Sequence, residues 1–201
     1  MVKQSVDYLE SLARTVDGAT DEQIAVANLW YREANEFARQ QSSKHALPLE
    51  SVCGIIGALS PACKWDKNKV DTDNLLSALR GGVAVPRSIS TFGQQVEKAV
   101  RLYHVCTYDW SVIEQILGDG LKTRKFARAI HTPEGDYIVV DRWISRAAGN
   151  GDKRVTDYRY KAISDAIATL AGKAGMNSQA YQALIWVCVR AVKLPRRRKN
   201  G

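Results

Sequence analysis

From Leu49 the chain runs through Val52, Cys53, Ile55, Ile56 and Leu59 with apolar side chains on nearly every side of a helix, and Ser60-Pro61 stops it. A helix that is apolar all round has no face to show to water and must lie in a protein interior. The residue before a proline is driven out of helical geometry, which places the helix end at about Leu59 to Ser60. The segment therefore predicts the buried core helix of an all-α lobe.

The rest of the chain is patterned mainly for amphipathic helices. Thr20-Asp21-Glu22-Gln23 has the form of a capping box, and Ile24, Ala27, Tyr31, Ala34 and Ala38 follow at helical spacing. The spacing predicts a long helix over about residues 21–41, a shorter one before it over about 4–16, and a loop over about 42–48. Leu75, Leu76 and Leu79 close a helix at Gly81-Gly82, and a proline-containing connector follows from Val83 to Thr91. Further helices are predicted at about 92–106, 109–117, 121–130, 141–148, 156–171 and 178–192. Thr132 to Asp136 reads as a turn, and Tyr137 to Val140 is the one β-like run. No internal repeat is present.

At 201 residues the chain suits one compact domain or two small lobes sharing a groove. The net charge of +8 points to an anionic partner, but Lys193, Arg196, Arg197, Arg198 and Lys199 place five of those charges in a short C-terminal tail. The body is only mildly basic. Cys53, Cys63, Cys106 and Cys188 are too widely spaced for a zinc ribbon or an iron–sulfur loop, and no secretory pattern is read ahead of them. Reduced, mostly core thiols in a cytoplasmic protein are expected. The apolar runs fall short of the roughly 20 residues that a membrane span needs, so no membrane association is expected. His45, His104 and His131 lack ligand spacing, so neither metal nor cofactor is assigned.

Chemistry concentrates in two segments. Ile116-Leu117-Gly118-Asp119-Gly120-Leu121-Lys122-Thr123 is a glycine turn opening a helix, and Val140-Asp141-Arg142-Trp143-Ile144-Ser145-Arg146 comes later. Gly118 and Gly120 allow positive φ and leave room for a phosphate to approach the backbone, while the following helix offers free N–H groups and a positive dipole end. A plain helix–turn–helix link with a glycine C-cap has the same pattern. By itself Lys122 reads first as an exposed helix lysine, and Asp141 as the N-cap of the next helix.

The combination resembles the helix-hairpin-helix DNA glycosylases of the endonuclease III type. In that family a Leu-Pro-Gly-Val-Gly-like hairpin carries a lysine two residues after its second glycine. A Val-Asp-Thr-His-like segment follows at nearly the present distance, with an arginine five residues past the aspartate. Lys122, Asp141 and Arg146 stand in those places, and Ile55-Ile56-Gly57-Ala58-Leu59-Ser60-Pro61-Ala62 is similar to the family's early buried helix ending in Leu-Ser. The likeness covers about Val52 to Gly149. Leu117 replaces the hairpin proline, Asp119 is acidic, Trp143 stands where histidine is usual, and Ala62 takes the approximate place of a polar wedge residue. The C-terminal cysteine cluster is missing, so a divergent member without an iron–sulfur cluster is implied, of the kind that phage-encoded relatives represent.

The resemblance implies an all-α, two-lobe helix-hairpin-helix glycosylase-like fold with a groove between the lobes. One lobe is expected over residues 47–134, and the other over 1–46 plus 135–201 with the basic tail. It implies a monomeric DNA N-glycosylase that excises a damaged or modified base flipped from double-stranded DNA. Lys122 would attack the sugar C1′, adding AP-lyase activity, and Asp141 would stabilise charge developing on the sugar. Lys125, one turn on, is the alternative nucleophile. Gly118, Gly120, Thr123, Arg124 and Lys125 would hold DNA at the hairpin, with Arg142 and Arg146 beside Asp141. Arg124, Arg128 and Arg142 read otherwise as partners of Glu134 or Asp136. Lys64 and Lys67, interleaved with Trp65, Asn68 and Lys69, read as a strand-contacting loop or a solvated helix face. A same-fold enzyme acting on hypermodified bases and a non-catalytic helix-hairpin-helix DNA-binding protein are the other readings.

Overall fold

A computed structural model describes residues 2–89, 91–151 and 154–191 and is helical, with no strand among them. In chain order the helices are α1 (Val2–Val16), α2 (Asp21–His45), α3 (Leu49–Leu59), α4 (Trp65–Arg80) and α5 (Gly93–Val105). They continue with α6 (Trp110–Leu117), α7 (Leu121–His131), α8 (Arg142–Ala147), α9 (Asp157–Ala174) and α10 (Ser178–Ala191). Packing divides the chain into two units, one of residues 31–137 and one combining residues up to Trp30 with those from Ile138 onward. The division falls inside α2 and at residues 137/138, whereas the resemblance implied boundaries at 46/47 and 134/135. The reason is Asn35, whose side-chain amide donates to the carbonyls of Ile130 (2.8 Å) and His131 (3.0 Å) and so ties the second half of α2 to the end of α7.

The unit of residues 31–137 is built around α3, which packs against α4, α5, α6 and α7. Every α3 residue from Ser51 to Leu59 is buried, as its all-round apolarity requires. Leu75 and Leu76 of α4, Leu102 of α5, Ile113 and Leu117 of α6 and Ala127 of α7 close the core around it. Two glycines allow the tight crossings. A Cβ on Gly54 would lie 2.9 Å from Ile113 Cγ2, and one on Gly57 would lie 3.0 Å from the Thr123 carbonyl oxygen.

One element here departs from expectation. The loop expected over residues 42–48 is helical as far as His45, because Gln41 and His45 are buried and packing outweighs the poor helix propensity of Ser42 and Ser43. The turn then closes through Ala46 at φ 53, with Ser42 Oγ donating to the Leu47 carbonyl at 2.6 Å. The polar stretch from Lys64 to Asp73 is helical from Trp65. Its inner face is polar: Asn68 Nδ2 donates to the Ile56 carbonyl (3.1 Å), Thr72 Oγ1 donates to Asn68 Oδ1 (3.2 Å), and Asp71 is buried beside them. Polar groups satisfied in this way carry no hydrophobic period.

In the other unit α1 packs on α8, α9 and α10, and α10 on α8 and α9. The capping box forms as expected, with Thr20 N–H donating to Gln23 Oε1 (2.9 Å) and Gln23 N–H to Thr20 Oγ1 (3.2 Å). The β-like run Tyr137 to Val140 is not a strand. Ile138, Val139 and Val140 are buried, and the Tyr160 hydroxyl from α9 satisfies their backbone by donating to the Ile138 carbonyl (2.9 Å) and accepting from Val140 N–H (3.1 Å). Burial, not strand pairing, accounts for its composition. No described helix is long and apolar enough to cross a membrane.

Candidate functional site

Helices α6 and α7 are joined by Gly118, Asp119 and Gly120 alone, and the chain turns there because Gly118 adopts φ 76. That positive φ is the freedom expected of a glycine. Gly120 has φ −68 and needs no such freedom; there a Cβ would meet Thr123 Oγ1 at 3.0 Å. Thr123 instead uses its hydroxyl on the turn, donating to the Gly120 carbonyl at 2.8 Å, and it is buried. At the start of α6 the Asp109 carboxylate accepts from Ser111 N–H at 2.8 Å. The Ser111 hydroxyl and that N–H together hold its pKa below the usual carboxylate value.

Lys122 is the second residue of α7 and is half-buried. Arg124 turns back on the hairpin, its Nε donating to the Gly118 carbonyl and its Nη2 lying 3.4 Å from Asp119 Oδ1. The Asp119 side chain is otherwise fully exposed. Arg128 pairs with Glu114 at 2.8 Å and stacks 4.2 Å from the centre of the Trp110 ring, and Lys125 lies 5.5 Å over Tyr137. Arg124 and Arg128 thus take acidic partners within α6–α7, and Glu134 pairs with Arg32 at 2.7 Å.

Lys64 is exposed at the N-cap of α4. Lys67 is committed to the protein: its ammonium pairs with the buried Asp71 carboxylate and donates to the Ser88 carbonyl at 3.1 Å. Trp65 is set edge-on between Phe37 (5.9 Å) and Phe126 (6.3 Å), and Lys69 lies 5.7 Å over its ring. The tryptophan serves the packing of the unit, while Lys64 is the more open of the two cations.

Asp141 is the N-cap of α8, its Oδ1 accepting from Trp143 N–H (2.8 Å) and Ile144 N–H (2.9 Å). Trp143 is half-buried between two cations, with Arg142 5.9 Å and Arg146 5.4 Å from its ring centre. Close by, burial raises the Tyr160 pKa above its ordinary value, opposed by the hydrogen bond from Val140 N–H. Lys122 belongs to the unit of residues 31–137 and Asp141 to the other. The basic tail, Lys193 and Arg196 to Lys199, lies outside the described residues.

Two features of this region escape a reading of the sequence. Lys98 of α5 donates to the Leu117 carbonyl at 2.7 Å, although nothing in its local sequence links it to the hairpin. His131 joins the same unit's polar cluster, 3.3 Å from Glu50 and edge-on to Trp110 at 5.3 Å. Among the described residues no group of three His, Cys, Asp or Glu side chains could hold a metal ion. Of the cysteines, Cys53 and Cys188 are buried, Cys63 is half-buried and Cys106 is exposed.

Residues 2–193 match the model of a protein family described as a family of unknown function, DUF7178. No curated protein and no solved structure matches the chain.

Proposed function

We propose that this chain, which belongs to the DUF7178 family, is a DNA N-glycosylase of helix-hairpin-helix type that excises a damaged or modified base, with AP-lyase activity through Lys122. The observation that carries this reading is the α6–α7 turn. Two helices meet through Gly118-Asp119-Gly120 with Gly118 at φ 76, and a lysine stands one residue inside the second helix. Such a turn presents backbone N–H groups and the positive end of a helix to a phosphate without reading sequence.

In this reading Lys122 acts as a free amine on the sugar C1′, and Asp141 stabilises positive charge on the sugar as the base leaves. Both bonds that Asp141 makes to its helix fall on Oδ1. A carboxylate held by amides is oriented, so capping and electrostatic stabilisation are compatible in one side chain. Arg142, Trp143 and Arg146 supply positive charge and an aromatic face next to it, suited to strand contact. DNA, double-stranded with one base flipped, is the proposed partner.

Borohydride trapping on DNA with an abasic site tests the chemistry. The unaltered protein should form a covalent adduct, and Lys122→Ala should not. The commitment of Asp141 to the α8 N-cap and the exposed acid at Asp119 favour a second reading, a non-catalytic DNA-binding module. Absence of adduct and of base release from a panel of modified duplexes, with salt-sensitive binding retained, would select it.

A further inference from the structure

We infer that Lys98, on α5, is a phosphate contact of the α6–α7 hairpin and supplies the charge that makes this acidic variant of the turn receptive to DNA. The inference rests on the reading of the hairpin as a DNA grip.

The hairpin has an electrostatic problem. Leu117 and Gly118 end α6, so their carbonyls carry the negative end of that helix, and Asp119 adds a full negative charge at the tip. An approaching phosphate would be repelled unless cations offset both. Arg124 addresses one part, its guanidinium lying on the Gly118 carbonyl and against the Asp119 carboxylate. Lys98 addresses the other, with Nζ 2.7 Å from the Leu117 carbonyl oxygen.

The position of that ammonium is tightly defined. A Cβ on Gly118 would stand 3.3 Å from Lys98 Nζ, so the charge lies directly on the turn. Glycine at 118 thus serves two ends, the φ of 76 and the room for this cation. An ammonium has three N–H donors, and the Leu117 carbonyl occupies one. No carboxylate pairs with Lys98 among the described residues, whereas Arg124 and Arg128 have Asp119 and Glu114. Its charge is therefore not cancelled by a neighbouring acid, and its remaining donors suit phosphate oxygens.

The test is duplex affinity of the full chain measured by fluorescence anisotropy across a salt series, with the melting temperature of each variant recorded. Lys98→Met should bind several-fold more weakly at low salt and reduce the slope of log affinity against log salt by about 0.9, the value for one lost phosphate contact. Lys98→Arg should keep the slope. Asp119→Asn, at a fully exposed side chain, should bind more tightly than the unaltered protein. If Lys98→Met leaves the slope unchanged while the unaltered protein binds in a salt-dependent way, Lys98 is not a phosphate contact and the hairpin reading stands without it. Unchanged affinity in Asp119→Asn overturns the charge balance on which the role of Lys98 depends. If the unaltered protein fails to bind duplex even at low salt, the hairpin reading itself falls, and the inference with it.

Discussion

Gly57 in α3 lies directly against Thr123 in α7: a Cβ built on the glycine would stand 3.0 Å from the threonine carbonyl oxygen and 3.1 Å from Ala127 Cβ. This contact joins the buried central helix to the first turn of the helix that carries Lys122, so the hairpin is seated on the core through a position where a side chain would press its neighbours apart. Gly57→Ala should cost about 1–3 kcal/mol through overpacking. Gly172→Ala in α9, where nothing stands within 4 Å, should gain about 0.5–1 kcal/mol from helix propensity. Urea unfolding midpoints of the two variants check the contrast, and equal shifts would contradict it.

The Tyr160 hydroxyl takes the place of a β-ladder for the Ile138 to Val140 segment. Tyr160→Phe leaves two buried backbone groups without their partner and should cost about 1–3 kcal/mol. Burial raises the folded pKa of Tyr160 above the ordinary 10.0, so the neutral form is favoured in the folded state. Its contribution is complete below pH 10.0 and is lost as pH rises through the folded value. Stability should therefore fall on the alkaline side, and Tyr160→Phe should flatten that fall in denaturation series from neutral to alkaline pH.

His45 closes α2 with its side chain 2% exposed and neither ring nitrogen hydrogen-bonded. Burial lowers its pKa, with the charges of Lys44 and Arg80 acting in the same direction and Asp73, 3.9 Å away, in the opposite one. A histidine with a depressed folded pKa contributes stability above its unfolded value of 6.5 and loses it as pH falls below that value. Asp73 is held below the ordinary carboxylate pKa chiefly by its bond from Lys44, and its contribution disappears at still lower pH. Denaturation midpoints should decline as pH drops below 6.5, and His45→Phe should remove the first part of the decline while leaving the second.

Asp141 separates capping from charge under substitution. Asp141→Ala removes an N-cap and should lower stability by about 0.5–2 kcal/mol. Asp141→Asn keeps an acceptor for Trp143 and Ile144 N–H and should melt close to the unaltered protein. If the carboxylate stabilises charge on a sugar, Asp141→Asn should still reduce base release by more than tenfold. Melting curves beside single-turnover base release distinguish a cap from a cap that also does chemistry.

The helices were legible because their signals are local. Thr20 and Gln23 cap each other across three residues, Gly118 takes the positive φ that its turn demands, and Asp141 reaches only as far as Ile144. The all-round apolarity of α3 likewise required burial whatever covered it. Where the reading failed, distant residues had intervened. Gln41 and His45 carried α2 through two serines because the interior received them, and Tyr160 supplied from α9 what a neighbouring strand would have supplied to Val140.

The candidate site divides in the same way. Which residue types stand at the turn, that the turn reverses at Gly118, and that Asp141 opens a helix are determined by the amino-acid sequence, since each depends on bonds within one turn of backbone. The pairs of Lys67 with Asp71 and of Arg124 with Asp119 lie within about a turn of backbone as well, whereas the bonds from Lys98 to the Leu117 carbonyl and from Lys67 to the Ser88 carbonyl were decided only by tertiary structure. A lysine stem has several rotatable bonds, so where no acid stands one helical turn away, as for Lys98, its charge settles where packing of remote helices sets the acceptor.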